Sequence, residues 1–165
     1  MTGTTNDDRR HLIELVNDAQ VAMLTTTTAD GRQVSRPMAV QEAEFDGDLW
    51  FFASDDSAKV SQIRATPEVN VSFSDVKHHA WISISGRAEV VHDRNKAESL
   101  YTPVLKAWFP EGLETPGLTL VKVHADSAEY WDGPSSTVGM ALGTLRAAVT
   151  KNPDNDPITN DTVEL

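Results

Sequence analysis

Short β-branched and aromatic segments, separated by tight-turn signals, constrain this chain more than any other feature. Val21–Ala22–Met23–Leu24 runs into four consecutive threonines, Thr25 to Thr28, a series that suits a strand better than a helix. Ala29–Asp30–Gly31–Arg32 is a turn of the Asp-Gly kind, and Val34 to Val40 reads as the returning strand. A second Asp-Gly turn at Phe45–Asp46–Gly47–Asp48 leads into Leu49 to Ala53, apolar enough to be buried on both faces. Val69, Val71 and Phe73 alternate with Asn70, Ser72 and Ser74, the pattern of a half-buried strand. Trp81 to Val91 reads as a long strand with Gly86 at a bulge or close approach, and Leu118 to Val123 and Ser127 to Trp131 as the last two. The expectation is a mainly β protein of six or seven mostly antiparallel strands, closing into a barrel to remove their edges.

Helices are few. Leu12, Leu15, Val16 and Ala19 share one face of a helix from Asn6 to Asp18. Val60 and Ile63 do so in Ala58 to Ala65, which stops at Thr66–Pro67. Asp93 to Lys106 reads as a third helix leading into Trp108–Phe109–Pro110. Residues 1–5 are expected to be a disordered lead, 6–133 one domain, and 134–165 an extension, with a short helix at Met140 to Val149 and a mobile acidic end from Asn152.

The charge excludes several functions. With 14 Lys+Arg against 25 Asp+Glu the net charge is −11, a surface that repels nucleic acid and anionic membranes. Without cysteine there are no disulfides, thiolate metal sites or cysteine nucleophiles. Nowhere do about 18 apolar residues run together, and the start has no signal-peptide pattern, so a soluble, cytoplasmic protein is expected. His78–His79 reads as a turn, not a metal site, and His92–Asp93 as the start of a helix capped by Asp93.

Chemistry concentrates between Ser35 and Lys59. Arg36 precedes Pro37 inside a strand, and a proline there deletes a ladder hydrogen bond, so this strand is expected at an edge or opening. Its free backbone groups suit a flat heterocycle. The next helix begins after Ser54–Asp55–Asp56–Ser57, and its N-terminus offers N–H donors and partial positive charge to a phosphate. Lys59 adds a full charge in the first turn, and Arg36 a bidentate one. The plainer alternative makes Arg36 and Lys59 solvated surface charges and Ser54 or Asp55 a simple helix cap.

Five stretches, in order, carry a family resemblance: Ser35–Arg36–Pro37–Met38, Leu49 to Ser54, Ser57–Ala58–Lys59–Val60, Ser83 to Glu89, and Glu129–Tyr130–Trp131–Asp132–Gly133. Residues 8–133 resemble the pyridoxamine 5′-phosphate oxidase-like superfamily, and within it the general stress protein 26 group. The resemblance implies an FMN-binding split β-barrel and a homodimer with cofactor at the interface. It puts Arg36 and Lys59 on the flavin phosphate, Ser54 and Ser57 nearby as hydroxyl donors, and the backbone of Pro37, Met38 and Ala39 beside the isoalloxazine. Trp131 is expected near the ring from the partner chain. Trp81 falls where the oxidases have a flavin-contacting Gln from the neighbouring subunit.

Departures narrow the activity. Where the oxidases have a Lys after the strand Arg, an Arg before the helix Lys and a Thr ending the third strand, this chain has Gln41, Ala58 and Ala53. Nothing after Trp131 matches their Arg-rich substrate segment, which argues against pyridoxamine phosphate as substrate. The expected function is an FMN-binding, oxidoreductase-like protein acting on a small-molecule substrate or reductant, with no catalytic side chain and no metal assigned. The alternatives are a non-catalytic flavin-binding or flavin-buffering protein, or a split barrel using the deazaflavin F420 or haem.

Overall fold

The structure, a computed structural model, describes residues 6–19, 21–41, 47–77, 79–133 and 159–164. Six strands form a curled, antiparallel sheet: β1 (Val21–Thr27), β2 (Gln33–Ala39), β3 (Asp48–Ser54), β4 (Glu68–Asp75), β5 (Ala80–Val91) and β6 (Leu118–Asp132), in the order β2-β1-β4-β5-β6-β3. This is the half-barrel of a split-barrel fold. A seventh strand, β7 (Thr159–Glu164), pairs with Ser127–Asp132 of β6, beyond the stretch of β6 that pairs with β3.

Local chemistry sets these boundaries. Gly31 closes the β1–β2 turn at φ +84°, a conformation that disfavours side chains. Ala22, Leu24 and Thr26 of β1 point inward, while Val21, Met23 and Thr25 point outward. Gly86 sits where β5 slips register against β6. A Cβ there would lie 2.2 Å from the His124 carbonyl oxygen, so only glycine permits the strands to approach.

Helix α1 (Asn6–Asp18) drives Leu12 and Val16 into the main core, and His11 meets Tyr130 edge-on at 5.5 Å between ring centres. Helix α2 (Ala58–Ala65) adds Val60 and Ile63, then stops because Pro67 holds Thr66 in extended backbone. β3 is buried on both faces, as its composition implies. Leu49, Phe51 and Ala53 enter the main core, whereas Phe52 joins a second cluster with Ala97, Leu100, Leu105 and Leu120.

Three expectations change. The helix expected over Asp93 to Lys106 is divided into α3 (Arg94–Leu100) and a 3₁₀ turn at Pro103–Ala107, because the proline forces Thr102 into extended backbone. The two strands expected after Leu118 are one 15-residue strand, β6; the irregularity at Ser85/Gly86 of β5 absorbs the register change. Residues 159–164, expected to be mobile, form β7, since β6 presents an edge there with ladder partners to offer. The helix expected at 140–149 lies outside the described residues. Among the described residues no helix is long and apolar enough to cross a membrane.

Candidate functional site

Pro37 lies on β2, an edge strand paired only with β1, where its missing N–H leaves no donor unmet in the sheet. Alternation along β2 sends Arg36 and Met38 inward, opposite Leu24 and Ala22, and leaves Pro37 exposed. Met38 is buried in the main core, so a ligand beside β2 can meet only its backbone.

The inward turn of Arg36 sets its guanidinium between β1 and α2. Nη1 donates to Thr26 Oγ1 at 2.6 Å and to the Leu24 carbonyl at 3.3 Å, and Nη2 donates to Gln62 Oε1 at 3.2 Å. Lys59 stands one turn before Gln62 on α2. Burial holds the Lys59 ammonium below its ordinary pKa, and the nearby positive charge of Arg36 lowers it further. Burial likewise lowers Arg36. Among the described residues neither cation has a carboxylate partner. Two half-buried like charges, from a strand and a helix, repel each other across one spot.

Beside them α2 begins without a proper cap. Ser57 is its N-cap, but the Ser57 side chain accepts no hydrogen bond from the helix, and its buried Oγ has no partner among the described residues. An unpaired hydroxyl at a helix N-terminus, on the helix that carries Lys59, adds a donor of the kind a phosphate site uses. The simple-cap alternative does not hold: Ser54 donates its hydroxyl to Asp56, while Asp55 pairs with Arg64 and His92. Those pairings turn both aspartates to neighbours of their own.

Trp81 and Trp131 face each other across β5 and β6, half-buried on the outer side of the sheet, the side of Pro37. They do not join Arg36 and Lys59 within one chain. Their side chains stand on the outer face of β5 and β6, whereas Arg36 turns to the inner face of β2. Gln41 is buried and bonds the Ala39 carbonyl, leaving no cation at that position. The residues missed from sequence are Thr26 and Gln62. Both are neutral and look like ordinary strand and helix positions; their role emerges only when β1, β2 and α2 meet.

The sequence and the fold also match known proteins. The sequence pattern of the family described as pyridoxamine 5′-phosphate oxidase like matches residues 7–155. Protein bli-3 of Neurospora crassa is 30% identical over 140 residues, covering 79% of this chain and 67% of that protein. The general stress FMN/FAD binding protein of Xanthomonas citri superposes with a TM-score of 0.69 at 29% identity, covering 80% of this chain and 93% of that one. A Clostridium acetobutylicum protein related to general stress protein 26 shares the fold at a TM-score of 0.73 and 18% identity, with 98% of this chain and 97% of that one covered.

Proposed function

The chain belongs to the pyridoxamine 5′-phosphate oxidase-like family, and from that premise we propose that it is an FMN-binding, oxidoreductase-like protein of the general stress type. One observation carries this reading: Arg36 and Lys59 are held together at the start of α2 with no carboxylate between them among the described residues. In a chain with net charge −11, an uncompensated cation pair is costly unless an anion completes it. The FMN phosphate is that anion. The Xanthomonas citri relative, a general stress FMN/FAD binding protein by description, supports a flavin.

Within this site Arg36 and Lys59 bind the phosphate, and the buried Ser57 hydroxyl donates to one of its oxygens. The edge backbone of Pro37, Met38 and Ala39 borders the ring system. When bound, the flavin supplies hydride or electron transfer. The chain's own part is to hold it, shield one face and exclude water, since no side chain at the site is placed as an acid or base.

The site is completed by a second copy of the chain. Trp81 and Trp131 stand on the outer face of the sheet while Arg36 of the same chain turns inward, so in this reading they act on the partner's flavin. The outer face of β1 supports such a homodimer: Val21 is 56% and Met23 40% exposed on a strand that would otherwise present them to water. The cysteine-free composition gives no reason to place the protein outside the cell.

The absorption spectrum of the purified protein, followed by FMN titration, tests this reading. A flavin spectrum is expected; a Soret band or a deazaflavin spectrum overturns FMN. Arg36→Ala and Lys59→Ala should each weaken FMN binding by about 1.5–3 kcal/mol, the scale of hydrogen bonds to charged groups. Unchanged affinity in both refutes the phosphate assignment. Reduction of bound flavin by NAD(P)H in the presence of a dye acceptor separates an oxidoreductase from a flavin buffer. Sedimentation as a monomer contradicts the shared site.

A further inference from the structure

Among the described residues, every group that holds the Arg36 guanidinium is neutral, although the chain carries 25 acidic residues. Nη1 is bonded to a hydroxyl and a backbone carbonyl, and Nη2 to a side-chain amide oxygen. The Thr26 hydroxyl, having accepted from Arg36, donates its own proton to Gln62 Oε1 at 2.6 Å. Arginine, threonine and glutamine therefore close a triangle whose three sides are the Arg36–Thr26, Thr26–Gln62 and Arg36–Gln62 hydrogen bonds. Thr26 is fully buried on the inner face of β1, and Gln62 rides on the same helix as Lys59.

We propose that Thr26 and Gln62 are positioning residues for the ligand's phosphate, acting through Arg36 by orienting its guanidinium without neutralising it. The proposal rests on the phosphate site described above. A planar guanidinium has five N–H groups in a fixed fork. Three are occupied here, both on Nη1 and one on Nη2. The two that remain, Nε–H and the second N–H of Nη2, lie along one edge of the plane, the spacing that two oxygens of a phosphate accept. A free arginine loses side-chain entropy when it grips a ligand; the triangle fixes Arg36 beforehand. A carboxylate at position 62 would fix it as firmly but cancel the charge that attracts the anion. Gln62 thus tunes the site toward phosphorylated flavin and away from the uncharged nucleoside form.

The test compares FMN with riboflavin, which differs only in lacking the phosphate. Affinities of the full-length protein for both are measured by fluorescence quenching, for Gln62→Leu, Gln62→Glu and the near-isosteric Thr26→Val. Gln62→Leu and Thr26→Val should each weaken FMN about tenfold, and Gln62→Glu about a hundredfold, equivalent to about 1.4 and 2.7 kcal/mol. Riboflavin affinity should change by less than about twofold. In an Arg36→Ala background, Gln62→Leu should have no further effect on FMN, because its route to the ligand is gone. Equal losses for FMN and riboflavin, or an undiminished loss without Arg36, would make the triangle a mere tie between β1 and α2 and overturn the proposal. If Gln62→Leu does not fold, the near-isosteric Thr26→Val, which adds no charge, decides by the same criteria. If the unaltered protein fails to prefer FMN, or Arg36→Ala leaves FMN affinity intact, the phosphate site itself is wrong, and the positioning role falls with it.

Discussion

Arg36 and Arg94 are two arginines treated in opposite ways. Arg94, at the exposed start of α3, donates Nε to Glu98, Nη1 to the Leu113 carbonyl and Nη2 to Glu114. Its hydrogen bonds to Glu98 and then to Glu114 raise its pKa. Arg36, half-buried beneath β2, meets no carboxylate among the described residues, and burial lowers its pKa. Other exposed basic residues follow Arg94: Arg32 pairs with Asp30, Arg64 with Asp55, and Arg87 with Glu68. In an acidic chain, pairing is the default. The lesson is that a cation kept from it, at a cost in desolvation, marks where an external anion belongs.

Reversing the charge gives the largest contrast. Arg36→Glu should lower FMN affinity by about a hundredfold or more, whereas Arg94→Ala should leave it unchanged and only soften the melting transition. Isothermal titration and thermal melts of the two variants check this; a loss of FMN with Arg94→Ala breaks the contrast.

pH offers a subtler contrast. The Lys59 pKa in the folded protein lies below the ordinary 10.5 through burial and Arg36. Between that lowered value and 10.5 the unfolded chain holds a proton that the folded protein has released. The ligand-free protein therefore gains stability as pH rises through this window, and carries the penalty of a crowded charge below it. Solvent screening keeps the gain small. FMN affinity should move the other way, falling as Lys59 loses its charge. Titrations from about pH 7 to pH 10 should show that fall in the unaltered protein and a flattened profile in Lys59→Met.

The two helix caps set the smallest contrast. Asp93 accepts the Lys96 N–H at 3.0 Å and caps α3, while Ser57 caps nothing with its side chain. Asp93→Ala should cost about 1 kcal/mol of stability and spare FMN binding. Ser57→Ala should leave the melting temperature of the ligand-free protein unchanged or slightly higher, since it removes an unpaired buried hydroxyl, and weaken FMN by about 0.5–1.5 kcal/mol.

Much of the architecture was legible because its determinants are local. Alternation at Val69, Val71 and Phe73, the Asp-Gly turn at Gly31, and Pro67 after α2 each act within a few residues, and each forms the element it implies. Pro37 announces an edge strand for a similarly local reason. The break at Pro103 is equally local, although the stretch from Asp93 to Lys106 reads as one helix. β7 was hidden because nothing in Thr159–Glu164 calls for a strand; the exposed rim of β6 does. Arg36 and Lys59 stood out by charge type and by the family's order of motifs. Thr26 and Gln62 did not, because a hydroxyl and an amide acquire meaning only from what the fold sets against them, 36 positions apart in the chain.

β3 is the seam between two hydrophobic clusters, with Phe51 stitched into one and Phe52 into the other. The strand that leads into α2 is therefore anchored on both of its faces, and loosening the satellite around Leu100 and Leu105 would be felt at the end of β3 from which the proposed phosphate site starts.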